Sequence, residues 1–132
     1  MFKHAIGITL LVMVISPCLA VEAPALPSSA KKLNNKEIAT LYEGSTISFN
    51  NFTMAQPLTG TDTYDLKGHK HHGTYTMGGQ TGQFSGPIRV KGDQFCHAEG
   101  AGKEHCASVY TDGSDIYEVN SKGVVESKNQ KQ

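Results

Sequence analysis

The sequence predicts a mainly β protein, an antiparallel β-meander or a small open barrel, with one short N-terminal helix and a disulfide-stapled hairpin. Three observations favour this class. Short runs of alternating apolar and polar residues follow one another from residue 45 onward, separated by Gly, Asn and Asp. No run is long enough for the helix that a parallel crossover requires. The chain has 132 residues with 14 Gly, 5 Pro and no Trp, a turn-rich composition sized for one domain.

Residues 1–20 have the pattern of a secretory signal peptide. A basic start precedes an apolar stretch, residues 5–15, that is too short to span a bilayer as a permanent helix. Cys18 and Ala20 are small residues at the two positions that signal peptidase recognises, which predicts cleavage between Ala20 and Val21. Lipidation of Cys18 is the less favoured alternative because a proline precedes it. We therefore expect a periplasmic or secreted protein with no stable membrane span.

Charge and cysteine content narrow the classes of partner. The chain has 12 Lys+Arg and 12 Asp+Glu, and this balance disfavours nucleic acid, whose phosphates require a clustered basic excess. Loss of Cys18 with the signal peptide leaves Cys96 and Cys106. An even pair of cysteines in an exported chain predicts a disulfide.

The mature chain divides into a leader, one domain and a tail. Residues 21–32 contain two prolines and a Ser-Ser-Ala stretch, which predicts a flexible leader. Residues 33–126 form a single β-rich domain, and the polar segment 127–132 is predicted to be a frayed tail.

A helix signal opens the domain, between Leu33 and Gly44. Asn34 is a good N-cap, and Glu37 lies three residues later, as in a capping box. Ile38 lies at the fourth helical position, where it can pack against Leu33, and Leu41 and Tyr42 continue the same apolar face. Gly44 suits a left-handed helix end. So short a helix needs tertiary support, so its apolar face should lie on the sheet.

Eight short segments with strand character follow the helix, joined by turn signals that indicate antiparallel neighbours. Their predicted bounds are 46–53, 61–67, 74–77, 83–91, 93–98, 105–111, 115–120 and 124–126.

The two cysteines fix the register of one hairpin. If Cys96 and Cys106 are directly opposed, then Phe95 faces Ala107 and His97 faces His105. The same register places Glu99 opposite Lys103 as a cross-strand ion pair and leaves 100–102 as the tip.

Histidines supply the candidate metal ligands, because imidazole binds Cu, Zn and Ni well. In Gly68–Gly73, a strand would point His69 and His71 to one face and His72 to the other. The flanking glycines instead suggest a flexible turn in which two or three of these imidazoles could converge, with Met77 near enough to ligate Cu(I). The alternative is a polar exposed loop without a specific role. His97 and His105 form a second candidate pair, with Asp93 or Glu99 as a third ligand; they could equally be ordinary surface or half-buried residues.

Aromatic residues recur along the strands and should be core, although they could instead line a pocket in a small barrel. They are Phe49, Phe52, Tyr64, Tyr75, Phe84, Phe95, Tyr110 and Tyr117.

Enzyme motifs are absent from the sequence. There is no G-x-S-x-G and no H-E-x-x-H. Around Gly100–Lys103 the Walker spacing fails at His97 and Glu104. A disulfide would leave no thiol nucleophile. We therefore expect a protein that is not an enzyme.

Two segments give a family resemblance. The run Gly92–Cys96, followed by Cys106 and Val109–Gly113, resembles an exported bacterial family, domain-of-unknown-function family 995. The opening Leu33–Ile38, with Leu41 and the turn after it, is similar to the first helix and strand of that family. The resemblance covers residues 33–119 and implies a small periplasmic or secreted lipocalin-like β-domain, with no catalytic residues.

Three functions follow as expectations. The leading one is a non-catalytic periplasmic or secreted binding domain, whose partner is a small apolar molecule or a protein of the cell envelope. The second is binding of Cu, Zn or Ni by the His69–His72 loop. The third is inhibition of an exported hydrolase through the hairpin tip, residues 98–104.

Overall fold

The computed structural model describes residues 21–132. The predicted signal peptide, its cleavage after Ala20 and the alternative lipidation at Cys18 fall outside the described residues. Within them, no helix is long and apolar enough to cross a membrane. The elements are β1 (Lys31–Lys32), α1 (Asn35–Tyr42), β2 (Thr46–Asn51), β3 (Leu58–Asp65), β4 (Lys70–Met77), β5 (Gln80–Lys91), β6 (Gln94–His97), β7 (His105–Asp112), β8 (Asp115–Val119) and β9 (Val125–Lys131).

The strands form a closed, eight-stranded, up-and-down barrel. Each strand from β2 to β9 pairs antiparallel with the next, and β9 returns to pair with β2. The predicted mainly antiparallel β-fold with one helix and a stapled hairpin is therefore confirmed, with a barrel that is closed rather than open. Closure removes the exposed sheet edges that an open meander would leave.

The closing strand β9 contradicts the predicted frayed tail at 127–132. Ser127 and Asn129 are buried at 2 % exposure each, whereas Lys128 and Gln130 are exposed. The alternation of a strand is therefore present. The prediction was wrong because the inward positions carry polar side chains, which hide the usual apolar signal.

The predicted flexible leader is also partly ordered. β1 pairs with Thr111 and Tyr110 of β7. Leu26 packs against a second buried cluster, Tyr117, Val119 and Val125, on the outside of the barrel. This contact explains why the outward residues Tyr117 and Val119 of β8 are apolar.

The helix and its caps follow the sequence prediction. Asn34 Oδ1 accepts a hydrogen bond from the Glu37 amide at 3.0 Å, and Glu37 Oε2 accepts one from the Asn34 amide at 2.9 Å. Gly44 has a φ of +66°, as a left-handed helix end requires. Ile38 and Tyr42 are fully buried. The capping box therefore sets where the helix begins, and burial of the face that carries Ile38 and Tyr42 stabilises it.

The apolar core lies at the α1 end of the barrel. The Tyr42 ring stacks on Phe95 with centroids 3.9 Å apart and meets Tyr64 edge-on at 5.0 Å. Ile47, Ile88, Val109 and Ile116 complete this cluster from four further strands. Because the helix fills this end, the barrel interior can be open only at the other, where residues 52–57, 78–79, 98–104 and 120–124 connect the strands.

The predicted hairpin register is confirmed. Cys96 pairs with Cys106, His97 with His105, and a disulfide joins the two cysteines. The predicted ion pair is wrong: among the described residues Lys103 has no salt bridge, and Glu99 instead approaches His97 Nδ1 at 3.5 Å. The strands part after His97 because the chain turns toward β5, where the Gly100 amide donates to Ser85 O.

Inward glycines lie beside aromatic rings. Gly60 is opposite Phe49, and Gly73 is opposite Phe84. A Cβ on these glycines would lie 2.8 Å from Phe49 Cζ and 2.6 Å from Phe84 Cζ. The missing side chains thus let the rings lie across neighbouring strands, along the wall of the interior.

Candidate functional site

The barrel contains an interior cavity of about 600 Å³ above the apolar core. It is open at the end opposite α1, since its lining includes the exposed Thr53 and Met54. Its other lining residues are Phe49, Asn51, Leu58, Asp62, Tyr64, His71, Tyr75, Met77, Phe84, His97, Glu99, His105, Glu118, Glu126, Ser127 and Asn129. The volume lies in the range of small-molecule sites.

One wall of the cavity is apolar and lies toward the opening. Leu58 and Met77 are opposed where β3 begins and β4 ends. Phe49, Tyr75 and Phe84 lie deeper on the same wall, with the Phe49 and Phe84 rings 5.9 Å apart. These aromatics therefore line a pocket, whereas Phe95 and Tyr117 are core. Tyr64 belongs to the core and also lines the cavity, so each interpretation of the aromatic pattern holds for some residues.

The cavity floor is polar and rests directly on the core. Glu118 follows the core residue Ile116 by two positions on β8, so both side chains face inward. Tyr42 Oη donates to Glu118 Oε1 at 2.9 Å, and Ser127 Oγ donates to Oε2 at 3.0 Å. Asn129 Nδ2 in turn donates to Ser127 Oγ at 3.0 Å. These bonds hold the floor side chains in fixed orientations.

An ion pair between adjacent strands forms the deepest part of the floor. His71 Nδ1 lies 2.7 Å from Asp62 Oδ2, and His71 Nε2 lies 2.9 Å from the carbonyl oxygen of Ala98. A carbonyl only accepts, so Nε2 carries a proton; with Asp62 ionised, Nδ1 donates as well and the ring is an imidazolium. Burial lowers the pKa of His71, but the bonds to Asp62 and Ala98 and the charge of Asp62 outweigh it, and the pKa is raised.

The hairpin histidines continue from this pair along the cavity. The ring centroids of His71 and His97 are 5.9 Å apart, and those of His97 and His105 are 6.0 Å apart. Burial lowers the pKa of His97, but its bond to Glu99 and the nearby carboxylates raise it above the usual value. His105 Nε2 contacts Glu126 Oε2.

The convergence predicted for His69, His71 and His72 is wrong. β4 begins at Lys70, so His71 points into the barrel and His72 points outward. His69 lies in the preceding turn with a φ of +54° and is exposed. The flanking glycines suggested a flexible loop, but Gly73 is part of the strand, where it accommodates the Phe84 ring.

A preformed metal site is not evident in the described part of the chain. There, the one group of three potential ligand atoms within 4.8 Å of one another is Cys96, Glu104 and Cys106, and the disulfide removes both thiolates. Asp93, a predicted third ligand, instead accepts a bond from the Asn35 amide at 2.9 Å. Met77 lines the cavity. Metal binding therefore stays a prediction.

Sequence reasoning missed the acidic and amide side chains of the floor. Asp62, Glu118, Ser127 and Asn129 were not considered as site residues, although each lies two positions from another inward residue of its strand. The alternation of inward and outward residues along each strand was the available signal. It does not show that β9 pairs with β2 and so closes the barrel.

The fold and the cavity define the class of molecule: a small closed β-barrel whose interior cavity has an apolar, aromatic wall on one side and polar side chains on the other side and the floor. No family model, no curated protein and no solved structure matches the chain.

Proposed function

We propose that this protein is a non-catalytic binding protein that holds a small molecule inside its barrel. The observation that carries this proposal is the cavity of about 600 Å³, which has one apolar and aromatic wall and polar side chains on its floor and opposite side. Sites for small molecules combine these properties. Eight strands are also the number at which a barrel interior becomes wide enough for one small ligand.

The compartment proposed is the periplasm or the exterior of the cell. The Cys96–Cys106 disulfide suggests a location outside the cytoplasm, because cytosolic thiols are kept reduced. The pattern of residues 1–20 supports export on independent grounds. The resemblance to domain-of-unknown-function family 995 agrees with both and stays a prediction.

A small molecule is favoured over a metal ion and over a protein target. His69, His71 and His72 lie in three different environments, so the loop offers no shared face for an ion. Inhibition through residues 98–104 would use the outer side of the hairpin tip and leave the cavity without a role.

The test is binding of N-phenyl-1-naphthylamine, a neutral apolar dye whose fluorescence rises in apolar surroundings. We expect one dye per protein. Leu58→Trp should weaken binding at least tenfold, because Leu58 lines the cavity and a larger side chain fills it. Thr59→Trp is the matched control, since Thr59 is exposed on the outer face of the same strand. Absence of dye binding, or equal weakening by both variants, would overturn the proposal.

A further inference from the structure

We infer that the ligand carries a cationic, hydrogen-bond-donating head group, such as a protonated amine, on an apolar or aromatic body. The head lies on the cavity floor and the body lies along the aromatic wall. This inference rests on the proposed function and specifies the chemistry of its ligand.

Two buried acceptors on the floor point to a donor. Asp62 Oδ1 and Asn129 Oδ1 have no hydrogen-bond partner among the described residues. Asp62 is 5 % exposed and Asn129 is 2 % exposed, and both line the cavity. An acceptor that is buried without a partner is unfavourable, because it has lost its hydrogen bonds to water. A ligand that donates to these two oxygens would replace those hydrogen bonds.

The orientation of the two acceptors is fixed by their other bonds. Asp62 Oδ2 is used by His71, and Oδ1 has no donor within hydrogen-bond distance among the described residues. Burial raises the pKa of the Tyr64 hydroxyl, and Asp62 lies near enough to contribute to that rise. Asn129 must present its amide nitrogen to Ser127 Oγ, because the Ser127 hydroxyl proton is donated to Glu118. The Asn129 amide oxygen is therefore the atom left without a partner in the described part of the chain. Exchanging the oxygen and the nitrogen of this amide would break the hydrogen bond from Asn129 to Ser127.

The charges of the lining favour a cation. Four carboxylates line the cavity, those of Asp62, Glu99, Glu118 and Glu126, and no lysine or arginine is among the described lining residues. Three imidazoles also line it. Even if all three were protonated, the carboxylates would leave one negative charge. A carboxylate ligand would meet this field with the wrong sign.

The positions of these groups along the barrel axis set the orientation of the bound ligand. The acceptors lie just above the core, whereas Leu58, Met77 and Met54 lie toward the opening. A ligand whose head lies on these acceptors has its apolar part beside the aromatic and aliphatic side chains of the wall, whereas Glu99, His105 and Glu126 line the cavity from other segments of the chain.

The experiment compares three indole probes that share one ring system and differ in the head group. Tryptamine carries an ammonium, tryptophol a hydroxyl and indole-3-propionate a carboxylate. The mature chain contains no tryptophan, so indole fluorescence reports the probe alone. We expect tryptamine to bind at least tenfold more tightly than tryptophol, and indole-3-propionate to bind most weakly.

Asp62→Asn tests the head-group contact directly. The substitution keeps the shape of the side chain and removes the negative charge of the group whose Oδ1 faces the cavity. The preference for tryptamine over indole-3-propionate should then fall at least tenfold. Glu118→Gln leaves one of the two hydrogen bonds to Glu118 unchanged, and keeps the other if the Tyr42 or Ser127 hydroxyl turns to accept from the new amide. It should weaken tryptamine more than tryptophol. Glu104→Gln is the control, because Glu104 pairs with Arg89 outside the cavity.

The outcomes separate this inference from the proposed function. If the naphthylamine dye binds but tryptophol or indole-3-propionate binds as tightly as tryptamine, the head-group assignment is overturned and the binding protein remains. Dye binding without binding of any indole also overturns the assignment. If neither dye nor indoles bind, both proposals fail. A Glu118→Gln variant with unchanged selectivity would contradict the role of the floor charge.

Discussion

His71 lies directly opposite Gly86 in the register of β4 and β5. The space that a side chain at position 86 would fill is occupied by the backbone of Ala98, whose carbonyl oxygen accepts from His71 Nε2. A Cβ at position 86 would lie 2.8 Å from Ala98 C and 3.0 Å from the Gly100 nitrogen. The absence of a side chain at Gly86 thus lets the 98–104 segment close over the barrel wall and reach the floor.

Gly86→Ala should therefore displace this segment. We expect a loss of about 1–3 kcal/mol in the free energy of unfolding, as for overpacked sites. The Gly100 amide, which donates to Ser85 O at 2.6 Å, should exchange with solvent faster. Urea unfolding and amide exchange measure both effects. Ser85→Ala is the control on the exposed face; if it matches Gly86→Ala, close approach at Gly86 is not the cause.

The His71–Asp62 pair should make stability depend on pH. The pKa of His71 is raised in the folded protein, so its contribution is complete below the unfolded value of about 6.5. It is lost as the pH rises through the raised folded pKa. The free energy of unfolding should fall over that interval by up to about 1.4 kcal/mol per pH unit. The groups facing His71 are Asp62 on β3, His97 on β6 and the Ala98 carbonyl.

His71→Gln tests this dependence through urea unfolding between pH 5.5 and 8.5. Loss of one partner from a buried pair should cost about 3–5 kcal/mol at pH 6, and the pH slope should become shallower. Some slope should persist, because the pKa of His97 is also raised. His72→Gln is the matched control on the outer face of the same strand. Parallel pH profiles for the wild type and His71→Gln would refute the assignment.

Local features of this fold could be predicted from sequence, whereas the cavity floor could not. Asn34 and Glu37 act within one helical turn, and Cys96 and Cys106 fix a hairpin register across a short connection. Their geometry is set by near neighbours in the chain.

The floor brings together side chains that are distant in sequence. Asp62 and Asn129 come from strands separated by β2, which pairs with both β3 and β9. The polar inward positions of β9 also break the apolar alternation from which a strand is recognised. Only closure of the barrel shows that these groups share one cavity.

Removal of the disulfide should lower stability without changing the fold. The chain-entropy model for a closed loop with a sequence separation of 10 gives about 2.5–3 kcal/mol. We expect the double variant Cys96→Ala/Cys106→Ala to melt at a lower temperature, with an unchanged circular dichroism spectrum. Reductant should lower the melting temperature of the wild type and leave that of the variant unaltered. A wild type insensitive to reductant, with a variant of equal stability, would contradict this role.

Tyr42 connects the helix to the cavity floor, so Tyr42→Phe should separate packing from hydrogen bonding. The ring that stacks on Phe95 is kept, and only the donor to Glu118 is lost. Burial, followed by the charge of Glu118, holds the pKa of the phenol well above its usual value, so it remains a donor at neutral and mildly alkaline pH. With one acceptor of a buried carboxylate unpaired, the free energy of unfolding should fall by about 1–3 kcal/mol. Tyr110→Phe is the control. The Tyr110 hydroxyl makes no hydrogen bond to a side chain among the described residues, and its ring packs against the buried cluster of Tyr117, Val119 and Val125 outside the barrel. Equal losses in the two variants would show that the hydroxyl of Tyr42 does not support the floor.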